Sequence, residues 1–216
     1  MKPLRISALF VVGWILVAAS GASATVISIG TGAFGAGSTL TTFSGLADGL
    51  EVNGLTVGGI TFLYSLGNGQ VVIDGGPGVT SNITPPNIVS IGNNTGVLSM
   101  MLPSLVDSFG YGFAILATTS ISPATTISLF NGATPVGGLS FGGTPEPTFT
   151  GGFAGVQSTL AFNRVNVTFN SVAAPAFALD NIRTANNGGS AIPEPASLLL
   201  VATGIGALAR RRRRVR

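Results

Sequence analysis

The chain has 216 residues, room for one domain plus processing segments, and only 8% of them are charged against about 25% in an average soluble protein. It holds no cysteine and no histidine, which excludes disulfides, thiolate chemistry, the usual zinc ligand and any Ser-His-Asp arrangement. The net charge of +3 sits at the two ends: from residue 25 to 190 the bases are Arg164 and Arg183 alone, against Asp48, Glu51, Asp74, Asp107, Glu146 and Asp180. The body therefore offers no basic face to neutralise phosphates, and nucleic-acid binding is excluded.

Residues 1–24 read as a secretory signal peptide. Lys2 and Arg5 precede the apolar run Ile6 to Ala19, and Ala22 and Ala24 supply the small residues that signal peptidase accepts. The run is shorter than the roughly 20 residues of a spanning helix, so cleavage before Thr25 is expected rather than a lasting anchor. The one tryptophan, Trp14, leaves with this segment.

From residue 25 to 183 short β-branched or aromatic runs alternate with Gly, Asn and Pro. Strands are predicted at 26–29, 39–43, 59–64, 70–74, 97–102, 108–116, 125–130, 136–141, 155–158, 164–169 and 176–182. In 108–116, Phe109, Tyr111, Phe113 and Ile115 fall on one face with Gly110, Gly112 and Ala114 opposite. In 164–169, Val165, Val167 and Phe169 alternate with Asn166 and Thr168. Period two over many short runs predicts an all-β fold, a β-sandwich, with a long loop at 75–94. Residues 184–192 read as a linker.

The end of the chain has three parts: Pro193-Glu194-Pro195, the uncharged run Ala196 to Ala209, and Arg210, Arg211, Arg212, Arg213 and Arg214. As a helix the run covers about 21 Å, short of a ~30 Å hydrocarbon core. An all-apolar helix abutting five arginines does not dock on a soluble domain, whereas the arginines suit a positive-inside stop at the inner membrane. A short transmembrane helix is expected. The order of the three parts resembles the PEP-CTERM sorting signal. The resemblance implies an exosortase-type membrane protease as partner, removal of the 193–216 tail, and delivery to the cell envelope or an extracellular polysaccharide layer. A second Pro-Glu-Pro at Pro145, Glu146 and Pro147 lacks the apolar run and the arginines and reads as a loop.

The body resembles jelly-roll modules related to carbohydrate-binding domains. Phe43-Ser44-Gly45-Leu46-Ala47-Asp48-Gly49, Gly59-Ile60-Thr61-Phe62, and Phe177-Ala178-Leu179-Asp180-Asn181-Ile182 carry that likeness. It implies a jelly-roll sandwich and a structural calcium, with Asp48, Glu51, Asp180 and Asn181 as the candidate oxygens, six to eight being what calcium takes. Beside that stands the plainer reading, in which Asp180 caps a turn or holds a loop N–H. Tyr64 and Tyr111 are the only tyrosines available for stacking on sugar rings, and Tyr111 falls on an apolar strand face. Asp74, Asp107 and Asp180 are the carboxylates a hydrolase would draw on, but none sits in a catalytic motif. The reading is non-enzymatic: a structural or adhesive protein of the extracellular matrix, with a lectin-like module and a polysaccharide hydrolase as rivals.

Overall fold

The computed structural model describes residues 24–146 and 149–186. The expected signal helix with Ala22, the motif Pro193-Glu194-Pro195, the apolar run after it and the arginines Arg210 to Arg214 lie outside the described residues.

The described residues form β1 (Val26–Ser28), β2 (Thr39–Thr41), β3 (Thr56–Val57), β4 (Ile60–Tyr64), β5 (Val71–Asp74), β6 (Asn87–Ser90), β7 (Leu98–Ile115), β8 (Ile121–Asn131), β9 (Thr134–Glu146), β10 (Phe149–Phe169) and β11 (Phe177–Ala185). A single 3-10 turn at Thr31–Ala33 is the one helical element among them. The chain is therefore all-β, as the turn-punctuated alternation predicts.

Four differences from the sequence reading have physical causes. The runs 97–102 and 108–116 are one strand, β7, and 155–158 and 164–169 are one strand, β10. Pro103 and exposed Ser104 and Leu105 interrupt the alternation without ending the pairing. The stretch 75–94 is not all loop, because Asn87–Ser90 pairs with both β5 and β11. Pro145 and Glu146 close β9, where Glu146 pairs with Phe149, although they read as loop. Finally, β11 runs on to Ala185, into the stretch read as linker.

All pairings between neighbouring strands are antiparallel, and β7 and β10 run the length of two layers. In the first layer, residues 108–115 of β7 lie between residues 150–157 of β10 and strand β11, with β6 and β5 beyond β11. In the second, residues 98–101 of β7 and 164–167 of β10 pair with each other. There β4 flanks β7, and β8 followed by β9 flank β10. Between the layers both strands slip register together, from Gln157 to Arg164 on β10 and from Met101 to Ser108 on β7. Such irregularities let a strand turn a corner and enter the facing sheet.

The inward faces meet in one apolar core. Phe109, Tyr111 and Phe113 come from the first layer, and Phe62, Met100, Ile127, Leu129, Val165 and Val167 from the second. Phe177 of the first layer stacks on Phe169 of the second, with ring centroids 4.1 Å apart. The buried Tyr111 hydroxyl lies 2.6 Å from Thr125 Oγ1 across the layers. Because Thr125 Oγ1 itself donates to the Thr168 carbonyl, Tyr111 is the donor in the Tyr111–Thr125 bond. No polar atom of that group is left unpaired, which keeps its burial affordable.

The outward face of the first layer is floored by Gly110, Gly112, Gly151 and Gly155 and covered by chain. A Cβ on Gly112 would collide with the Asn82 carbonyl, and one on Gly155 would stand 2.5 Å from the Ile29 carbonyl. Ile83, fully buried, packs on Ala114 and Ala178. Phe34 meets Phe153 edge-on at 6.0 Å.

Gly112→Ala should therefore lift residues 80–84 off the sheet and destabilise the fold by about 1–3 kcal/mol, the usual cost of overpacking. Gly30→Ala, with nothing within 4 Å of the added methyl, should stay within about 0.5 kcal/mol of wild type. Urea unfolding of the two variants measures the difference, and equal midpoints would refute the packing role of the bare floor.

Candidate functional site

Asp180 sits where β11 slips one residue against β7. It pairs with Gly112, while the next paired residue, Arg183, pairs with Gly110. Asn181 occupies the slip with φ 52°, a left-handed conformation that asparagine tolerates better than most residues. The slip aims two successive side chains at one loop. Asp180 Oδ2 accepts the Thr84 N–H at 2.9 Å, and Asn181 Nδ2 donates to the Asn82 carbonyl at 2.9 Å. Asp180 is fully buried. Desolvation pushes its carboxyl above the usual range, against the lowering effect of the Thr84 and Asn181 N–H groups.

The remaining members of the expected calcium set are engaged elsewhere. Glu51 accepts from Asn53 N–H at 3.3 Å and from Gly69 N–H at 2.7 Å, and Asp48 is exposed. Among the described residues no three His, Cys, Asp or Glu stand close enough to share a metal ion. Asp48, Glu51 and Asp180 therefore do not converge: Asp48 lies in a turn, Glu51 bridges to Val72, and Asp180 faces the 75–86 loop. What Asp180 does have is a neighbour that the sequence did not suggest. Continuing the β6–β11 register one step beyond Leu179–Ile88 sets Asn87 opposite it, and Oδ1 of each is buried without a hydrogen-bond partner. These two oxygens are the open acceptors at the slip.

The other candidates have structural roles here. Asp74 Oδ1 accepts the Gly76 N–H at 3.2 Å, and Asp107 Oδ1 accepts the Ser108 hydroxyl at 2.7 Å. Tyr64 is buried, donating its hydroxyl to the Asn93 carbonyl at 2.7 Å and accepting the Gly96 N–H at 3.0 Å. Burial raises the ionisation of both Tyr64 and Tyr111 above the ordinary phenol range. Neither ring is free to stack on a sugar.

The outward face of the second layer is different, since its positions on β7 and β10 carry side chains where the first layer has glycine. The strand registers align side chains in rows across it. One row runs Phe130, Arg164, Met101, Thr61, and the next runs Ser128, Asn166, Ser99, Leu63. The alternation fixes which residues appear, since Val165 and Val167 point to the core and Arg164, Asn166 and Thr168 must point away. All of these outward residues are half-buried or exposed. Ser99 Oγ donates to Asn166 Oδ1 at 2.9 Å, and Thr126 and Ser140 share a hydrogen bond of 2.9 Å. Beside them, Gly137 and Gly138 leave a groove of about 460 Å³ along Thr126, Ser128, Phe130 and Leu139. The Arg164 guanidinium lies 4.3 Å from the centroid of Phe130. Sequence reading exposed the polar half of each strand but not the pairings that assemble one surface from them.

Residues 191–214 match the PEP-CTERM protein-sorting motif. No curated protein matches the chain in sequence. Among solved structures, the K2 cleaved adhesin domain of Lys-gingipain is similar at 15% identity and a TM-score of 0.45, over 68% of this chain and 98% of that one. A variant of CBM29-2, a family 29 carbohydrate binding module, is similar at 10% identity and a TM-score of 0.39, over 73% of this chain and 98% of that one. Among the described residues no helix is long and apolar enough to cross a membrane.

A buried carboxyl with a raised folded-state pKa stabilises the fold at low pH and loses that contribution as pH rises through the raised value. Lowering the pH from 7 toward 4 should thus improve the melting temperature of wild type relative to Asp180→Asn, whose side chain does not titrate. Parallel curves would remove the assignment. In the same assay, a higher melting temperature in excess calcium than in chelator, lost in Asp180→Asn, supports calcium at Asp180 and Asn87. Superimposed transitions withdraw it.

Proposed function

We propose, starting from a chain that carries at residues 191–214 the sorting motif of exported, exosortase-processed proteins, that the mature protein is a structural or adhesive component of the extracellular polysaccharide matrix. Signal peptidase removes residues 1–24, the C-terminal run holds the protein at the inner membrane until processing, and the β-sandwich then works at the envelope or beyond it.

The observation that carries the reading is the asymmetry of the two outward faces. The first layer is closed by its own loops over glycine, whereas the second presents serine, threonine and asparagine in rows beside an open groove. Hydroxyl and amide side chains offer both donors and acceptors, the complement of a polyhydroxylated polymer. The three carboxylates considered for hydrolysis hold neighbouring backbone or side-chain groups instead, which favours binding over catalysis.

Two measurements test this reading. The intact mass of protein recovered from envelope and medium should correspond to a chain beginning at Thr25 and ending near Pro193-Glu194-Pro195, and a mass retaining the arginines would refute tail removal. The recovered protein should also co-sediment with the polysaccharide of its host. Ser128→Tyr, which fills the groove, should weaken co-sedimentation several-fold at unchanged melting temperature. Absence of wild-type co-sedimentation would overturn the matrix reading.

A further inference from the structure

Resting on that reading, we propose that the outward face of the second layer, beside its groove, recognises acidic polysaccharide, with Arg164 as the residue that binds the carboxylate of a uronic acid unit.

The argument begins from charge. The body has two arginines among six acids, so an arginine on its surface would ordinarily be expected to find a carboxylate. Arg164 finds none among the described residues. Its guanidinium rests on the Phe130 ring 4.3 Å away, and its Nε is buried with no hydrogen-bond partner. A donor left in that state costs about 1–3 kcal/mol, and more when charged. The charge adds nothing to the fold that methionine or leucine would not supply by packing on Phe130.

The setting is that of an oxyanion site. Stacking on an aromatic ring restricts the guanidinium plane, so less conformational freedom is lost when its fork meets a carboxylate. Bidentate guanidinium–carboxylate pairing is among the stronger hydrogen-bonded contacts a protein makes. Asn166, next outward residue along β10, has Oδ1 occupied by the Ser99 hydroxyl, which directs its amide toward donating. Ser128 stands opposite Asn166 on β8, at the wall of the groove. Ser128 and Phe130 line a slot of about 460 Å³, and Arg164 and Asn166 stand on the neighbouring strand, opposite Phe130 and Ser128. No acid of the body occupies the rows around Arg164, whose cross-strand neighbours are Phe130 and Met101.

The test compares binding of the processed protein, recovered from envelope and medium, to polygalacturonate, to the same polymer with its carboxylates reduced to alcohols, and to a sulfated glycan. Polygalacturonate should bind, and carboxyl reduction should weaken binding about tenfold or more. Arg164→Ala should weaken polygalacturonate binding by a similar factor, and Arg164→Lys, which keeps the charge without the planar fork, should fall between. Arg183→Ala, in the first layer, should bind as wild type does. Melting temperatures within a few degrees of wild type certify that the Arg164 variants are folded. Equal binding to native and reduced polymer would overturn the acidic specificity while leaving the polysaccharide face in place. Stronger binding to the sulfated glycan would replace uronate by sulfate as the ligand class. Equal losses in Arg164→Ala and Arg183→Ala would reduce the effect to net charge and overturn the site, and failure to bind any of the three polymers would remove both the site and the face.

Discussion

The shared bend of β7 and β10 is the constraint from which the rest of the sandwich follows. Both strands pair with each other before and after the corner, and both lose register between Gln157 and Arg164 and between Met101 and Ser108. Had only one strand bent, the other would have left a row of buried N–H and C=O groups unpaired, each a substantial cost. Because they bend together, two layers are closed by continuous chain, and the remaining strands add to whichever half lies beside them. Pro103 is exposed at this corner, where a residue without an N–H costs no ladder bond.

The bend also determines why the two outward faces differ. In the first layer the outward positions of β7 are Gly110, Gly112 and Ala114, flanked by Gly151 and Gly155 of β10. A sheet without side chains is a surface on which backbone can lie, and the 75–86 loop and the segment around Ile29 do so. The loop is then fastened by Asp180 and Asn181. In the second layer the same two strands turn Ser99, Met101, Arg164 and Asn166 outward. One pair of strands therefore presents a glycine floor on one face and side chains on the other.

Much of this was legible in the alternation of single strands. Phe109, Tyr111 and Phe113 against Gly110 and Gly112 announces both the core and the bare floor, and Val165 and Val167 against Asn166 announces the polar face. What alternation cannot convey is which strands are neighbours. Asn87 reads as loop, yet β6 brings it beside Asp180. Phe130 and Arg164 are far apart in sequence, and only the β8–β10 register stacks them. The expected convergence of Asp48, Glu51 and Asp180 failed for the same reason, since residue type suggests a ligand but only pairing supplies proximity. Asp180 itself reads correctly in its plainer role, as the acceptor of a loop N–H.

Charge links the sorted tail to the working body. The arginines after residue 209 give the whole chain its formal +3, whereas residues 25–190 hold two bases against six acids. A mildly negative body approaching a polyanion is repelled at long range, and salt screens that repulsion beyond a Debye length of about 10 Å. Attraction then has to come from a contact short enough to escape screening. Arg164, fixed against Phe130 at 4.3 Å and unopposed by any neighbouring acid, is placed to supply it. On the proposed reading the body engages acidic polymer through one local contact per molecule, reversible singly and strong only where many copies share a strand.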